Sequence, residues 1–276
     1  MTTIDISEWN VTLECGVFHY SDCLSNPAPI LKLIEIANDT FRHLPLNSEL
    51  VANRIGPFRL RKLKPNSRNW SKVQSEIQEG QISTLVFGSI RPEDQLLTIA
   101  FHMGNEIDRK QPSSRDWFHD SVGLLVADAL LRSGTVDLEM CRNLIHQAWV
   151  ELSGVYAFAD MFVSHRTGRV SPWKRPLAAR ATRAKPGSYE VGQPTIDLRT
   201  HVPDAYWLNF LNATHLKTLG GVDSLKTRLP NADIRPLPYN GASIQISPSP
   251  IYESLEQWEA DHESLKTVLA PIIVER

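Results

Sequence analysis

The sequence predicts an α+β fold, mostly antiparallel sheet packed against amphipathic helices, and three observations predict it. Ile30, Leu33, Ile34, Ala37 and Phe41 recur at helical spacing over Ile30 to His43. Leu138, Cys141, Leu144, Ile145, Ala148 and Trp149 do the same over Asp137 to Leu152, so both segments present one apolar face to a core. Second, Ile82 to Ile90 and Gln95 to His102 are two strand-forming runs joined around Arg91-Pro92-Glu93-Asp94, the pattern of an antiparallel hairpin. Third, 276 residues with 42% apolar and 22% charged side chains suffice to bury a sizeable core and are too apolar for global disorder.

Taken in order, Trp9 to Tyr20 carries Val11, Leu13, Val17 and Phe18 and predicts a first strand, broken by Asn26-Pro27-Ala28-Pro29. The helix over Ile30 to His43 follows, with Pro45 just past its end. In Asn47 to Asn66, Ile55-Gly56-Pro57 interrupts the chain, and the alternation in Phe58 to Leu63 suits a strand or an extended loop equally. Ser71 to Gln78 suggests a short helix carrying Val73 and Ile77, ahead of the hairpin. The apolar run within Trp117 to Leu131 fits a buried strand or a buried helix, and periodicity does not arbitrate. After the helix over Asp137 to Leu152, Tyr156 to Val163 predicts another strand.

Ser164 to Gly187 is the one compositional break. It holds Arg166, Arg169, Lys174, Arg175, Arg180, Arg183 and Lys185 with no acidic residue, together with Pro172, Pro176 and Pro186, and suggests a long exposed loop or a surface arm. The chain is expected to form one domain over residues 1–276, or else two α/β halves divided near 164–200 by this basic segment. Beyond it, Tyr206, Trp207, Phe210 and Leu211 recur at one, three and four positions, which predicts one face of a helix entering after Pro203. Gly220 and Gly221 predict its end in a left-handed cap, followed by a short helix holding Leu225 and Leu229. Ala232 to Leu237 and Ala242 to Ser247 are expected strands. A final helix runs from Leu255 to about Leu269, with Glu253, Glu256, Glu259, Asp261 and Glu263 making its outer surface acidic and Pro271 ending it.

Composition narrows function by exclusion. Lys plus Arg number 29 against 31 Asp plus Glu, a net charge of -2 that argues against a globally basic nucleic-acid binder while leaving room for a local patch. Cys15, Cys23 and Cys141 are too few for a disulfide framework and show no Cys-x-x-Cys spacing, so reduced thiols and a cytoplasmic location are expected. The acidic start Met-Thr-Thr-Ile-Asp-Ile-Ser-Glu-Trp lacks the basic and apolar regions of a signal peptide, and no apolar run approaches the roughly 20 residues of a membrane span. Phosphate-cradling glycine loops, the Gly-x-Ser-x-Gly elbow and His-Glu-x-x-His are all missing.

His119, directly before Asp120, is the histidine most easily read as catalytic, but neighbours in sequence do not face each other on a strand or a helix. Cys141 sits on an apolar helix face and suits a small core residue better than a nucleophile. No catalytic residue, metal site or cofactor is therefore expected, although dispersed histidines and acids could still converge in the fold. The basic arm invites polynucleotide binding, but only Trp173 and Tyr189 could stack bases near it. Trp207 can serve as a core anchor or as an interface hot spot, and the core is the expected place.

A family likeness emerges in Tyr206-Trp207-Leu208-Asn209-Phe210-Leu211, in Leu219-Gly220-Gly221 with its leucine-bearing helix, and in Asn240-Gly241-Ala242-Ser243-Ile244-Gln245-Ile246 followed by Pro248 and Pro250. This pattern resembles the C-terminal part of bacterial immunity proteins of the Immunity protein 52 family. A related group of type VI secretion immunity proteins shares a similar Trp, Leu-Gly-Gly and Gly pattern. The likeness rests on roughly the last 75 residues and on structural positions, namely Tyr206, Trp207, Phe210, Gly220, Gly221 and Gly241. It implies an α+β cytosolic antitoxin that neutralises a polymorphic toxin by stoichiometric binding, the toxin often being a nuclease of restriction-endonuclease fold. The acidic residues Glu256, Glu259 and Glu263 are the expected contact if that nuclease has a basic cleft. The alternatives are a nucleic-acid-binding accessory protein using residues 166–185, an enzyme with a dispersed site and, for assembly, a homodimer.

Overall fold

The computed structural model describes residues 10–21, 23, 25–44, 48–53, 59–63, 68–88, 97–103, 120–164, 197–250 and 255–274. The central strand β1 (Asn10–His19) shows how the chain is laid out. Leu13, Cys15 and Val17 point to one face and are buried, while Glu14 and Phe18 point to the other. Both of its edges are paired, to β6 (Asp120–Ala127) on one side and to β7 (Tyr156–Ser164) on the other.

The described strands form one ten-stranded sheet in the order β3-β2-β4-β5-β6-β1-β7-β8-β10-β9, and every pairing within it is antiparallel. The members not yet placed are β2 (Ser48–Asn53), β3 (Arg59–Leu63), β4 (Ile82–Gly88), β5 (Leu97–His102), β8 (Leu208–Leu211), β9 (Asp233–Leu237) and β10 (Gly241–Gln245). The ambiguous alternation before Leu63 is thus a strand, paired to β2 through a register shift. The expected hairpin is the β4–β5 pair, its turn lying outside the described residues. The ambiguous apolar run resolves into both of its candidates in series, β6 and then the short helix α3 (Asp128–Arg132).

Helices cover both faces. α1 (Ala28–Thr40) and α4 (Leu138–Leu152) pack on each other, and α4 also packs on β1. Asp137 caps α4 by accepting the Met140 N–H at 2.6 Å. α2 (Arg68–Gln78) packs on β4 with Val73 and Ile77 buried. On the opposite face lie α5 (Ala213–Leu219) and α7 (Leu255–Leu269), with α6 (Gly221–Arg228) beside β9. A 3₁₀ turn, Ala270–Ile272, contains Pro271 and follows α7 directly, and Ile273 beyond it bridges to Val202.

The expected helix after Pro203 is instead strand β8. Buried on both faces between β7 and β10, β8 is apolar at consecutive positions, so its period of two is masked and a helical spacing arises by coincidence. Phe210 faces Trp149 of α4 in an edge-on contact with ring centroids 5.6 Å apart. Asn209, on the other face, accepts from the Tyr156 hydroxyl at 3.2 Å and donates to the Tyr206 carbonyl at 2.7 Å. The helix begins only at Asn212, whose side chain accepts from the Thr214 and His215 N–H groups while His215 Nδ1 accepts the Asn212 N–H, a reciprocal cap.

The glycine pair behaves as expected: Gly220 at φ 86° ends α5 and starts α6. A side chain there is strained, and a Cβ would lie 3.0 Å from Ser224 Oγ. Gly220→Ala is therefore expected to cost at least about 1 kcal/mol. A lowered urea midpoint with an unchanged slope would register it.

Candidate partner-binding surface

Helix α4 carries one charged residue within its apolar stripe. Arg142 follows Cys141 and precedes Ile145 and Trp149 by helical steps, and it is 9% exposed. Arginine tolerates such a position only when its donors are matched. Its Nη1 donates to Gln245 Oε1 of β10 at 3.1 Å and reaches Asp233 Oδ2 of β9 at 3.5 Å. The same Asp233 oxygen receives Arg235 Nη2 at 2.6 Å. Two guanidiniums thus share one carboxylate. The hydrogen bond from Arg235 holds the Asp233 carboxyl below its ordinary range, and the reciprocal bond to Asp233 raises the Arg235 guanidinium further.

These groups line an open cleft of about 430 Å³ between the first turns of α4 and the β9–β10 pair, with Glu139, Asn231, Ser247 and Pro248 at its walls. Trp207 also lines it. The indole is 2% exposed and donates Nε1–H to the Ser247 carbonyl at 2.8 Å, so it acts as a core anchor, as expected, and also backs the cleft. The cleft was not anticipated from sequence, and its one local signal was Arg142 interrupting an apolar stripe.

At the end of the β9–β10 hairpin away from the Asp233–Gln245 pair, the turn places Tyr239 at φ 62° and Asn240 at φ 57°. The Gly241 N–H donates to the Pro238 carbonyl at 3.2 Å, and two left-handed residues at the centre of that turn make it primed, which favours Asn-Gly. A tyrosine there is strained, and at 58% exposure it is the exposed large hydrophobic side chain of the described surface. Its hydroxyl donates to the Val150 carbonyl near the end of α4 at 3.1 Å.

The acidic face of α7 is present. Glu256, Glu259 and Glu263 are exposed at three- and four-residue intervals, while Trp258, His262 and Leu265 turn inward. Lys266 approaches Glu263 at 3.7 Å and offsets part of that charge. His262 Nε2 meets the buried Asp160 Oδ2 of β7 at 3.4 Å, which ties the acidic helix to the sheet.

Of the remaining sequence candidates, Tyr206 and Phe210 are buried, and Gly241 begins β10 against the Leu211 carbonyl. Cys15, Cys23 and Cys141 are free and buried. Burial pushes the Cys141 thiol up to about 12 and raises Cys15 as well, so both are inert thiols. His119 and the basic positions Arg166 to Lys185 lie outside the described residues. Among the described residues, no group of His, Cys, Asp and Glu is arranged to hold a metal ion, and no helix is long and apolar enough to cross a membrane.

An antiparallel sheet faced by helices, with charged and aromatic groups gathered in an open surface cleft, suits recognition of another macromolecule. The family model described as TsiV, type VI immunity for VRR-NUC, matches residues 61–276, and the chain belongs to that family of type VI immunity proteins. Of the two groups that the C-terminal pattern resembles, it is the type VI secretion immunity proteins that this match carries. In fold, the chain is similar to the Pseudomonas aeruginosa T6SS protein PA0821, with a TM-score of 0.68 at 16% identity over 95% of this chain and 73% of that one. No curated protein matches it in sequence.

Proposed function

We propose that this immunity protein acts without chemistry of its own, binding the nuclease domain of a cognate type VI toxin in the cytoplasm and blocking its active site as a stoichiometric inhibitor. The observation that carries the reading is the family match over residues 61–276. Continuity of the sheet from β7 to β8 across the basic segment supports treating the chain as one immunity-type domain.

A nuclease that attracts phosphates presents positive charge, and Glu256, Glu259 and Glu263 offer a complementary face on α7. Their part is to steer encounter, because exposed charges act over about a Debye length and change association more than dissociation. The decisive experiment is co-expression with the product of the adjacent upstream gene, followed by toxicity and co-purification assays. Rescue with a stable one-to-one or two-to-two complex is the expected result, and toxicity without a complex would sink the reading. Reversing the three glutamates to lysine is expected to slow association about tenfold at low salt, fading as salt rises, with the dissociation rate unchanged. An association rate that ignores the reversal would remove α7 from the encounter surface.

A further inference from the structure

The geometry points to the β9–β10 edge as the surface that seats the toxin, with a carboxylate side chain of the partner held by Arg235 beside Arg142, and Tyr239 as the apolar anchor. This deepens the immunity reading and rests on it.

A purely internal role accounts for Arg142, which is buried and ties α4 to β9 and β10. It does not account for Arg235. That side chain is 54% exposed, lines the cleft and puts one nitrogen, Nη2, on an oxygen that Arg142 also approaches. Within the hydrogen-bonded cluster there are two guanidiniums for one carboxylate, so donors remain for a second. Glu139 faces the cluster from the first turn of α4 and acts on Arg235 through charge alone. The matching ligand group is a carboxylate, since a guanidinium binds one in a planar two-point geometry. Because Asp233 already holds Arg235 in place, little side-chain freedom is lost on binding.

Tyr239 supplies the second half of the argument. Its hydroxyl bond to Val150 orients the ring, but that bond alone is a weak reason to keep a bulky residue at positive φ on a turn where asparagine or glycine would be relaxed. An oriented, exposed tyrosine is the side chain most typical of an interface hot spot. Tyr239 follows Arg235 by four positions, the last two in the turn, so at most roughly 13 Å of chain separates them, which fits within one standard interface patch. The edge itself is closed to strand addition, because Pro236 offers no N–H and Arg235 puts a charge beside it. The contact therefore runs through side chains.

The test uses the full chain and a catalytically inactivated variant of the toxin that co-expression identifies as its partner, with association and dissociation rates measured on a sensor surface and melting temperatures measured in parallel. Arg235→Glu and the milder Arg235→Gln are expected to raise the dissociation rate at least about tenfold and severalfold respectively. Tyr239→Asn is expected to raise it about tenfold while the melting temperature holds or rises, a divergence that a merely structural residue would not give. Wild-type dissociation rates in all three variants would overturn the surface assignment and leave immunity standing. A wild-type chain that neither binds nor protects would overturn both.

Discussion

Replacing Trp149 by alanine should cost the fold about 3–5 kcal/mol, enough to remove much of the stability of an ordinary domain. The indole is fully buried between α4 and the sheet and meets Phe210 edge-on. Two glycines are shaped around it: a Cβ on Gly154 would come within 2.7 Å of its ring, and one on Gly241 within 3.3 Å. Backbone that approaches a ring so closely cannot collapse far into the space the ring leaves, so the cavity term adds to the lost transfer energy. Trp149→Phe should cost much less. The indole Nε1–H is buried with no hydrogen-bond partner among the described residues, and phenylalanine deletes that donor while keeping most of the contact. Urea unfolding of both variants checks the pair, and a cost for Phe equal to that for Ala would show that shape, not area, governs the site.

Acidification should weaken the fold through His215. Its ring lies edge-on to Tyr156, with centroids 6.4 Å apart, and Nδ1 accepts the Asn212 N–H. Burial, the largest cause, lowers its pKa from 6.5 to about 4. Between those values the unfolded chain binds a proton that the folded chain refuses, so stability falls as pH falls through that window, by up to about 3 kcal/mol. Above pH 6.5 the group is neutral in both states and contributes no slope. Comparing the pH dependence of unfolding for the wild type and His215→Gln isolates this histidine from the others. The variant should show a flatter decline between pH 6.5 and 4, and parallel curves would refute the assignment.

Much of the fold was legible locally. Helices α1 and α4 lie where their apolar periods put them, α7 spans the expected Leu255 to Leu269 ahead of Pro271, and the Gly220–Gly221 break lies where positive φ is needed, because each signal is complete within one turn or two of chain. The pairing of β4 with β5 follows from short-range turn logic in the same way. Strand β8 was misread as helix for the reason given by its place: buried on both faces, it has no polar side with which to display a period of two. The real helix start was written in Asn212, whose capping side chain was a stronger signal than the aromatic spacing before it.

The sequence by itself determined the class of fold, the inert setting of Cys141, the acidic stripe of Glu256, Glu259 and Glu263, and a family likeness carried by structural positions. These properties depend on residues a few places apart. The cleft was decided only by tertiary structure. Arg142 meets Asp233 across 91 positions and Gln245 across 103, and the pairing of β10 with both β8 and β9 brings those groups beneath α4. A shared carboxylate between two guanidiniums, and a tyrosine held at positive φ on the turn of the same hairpin, are consequences of strand register and helix placement, which no local period encodes.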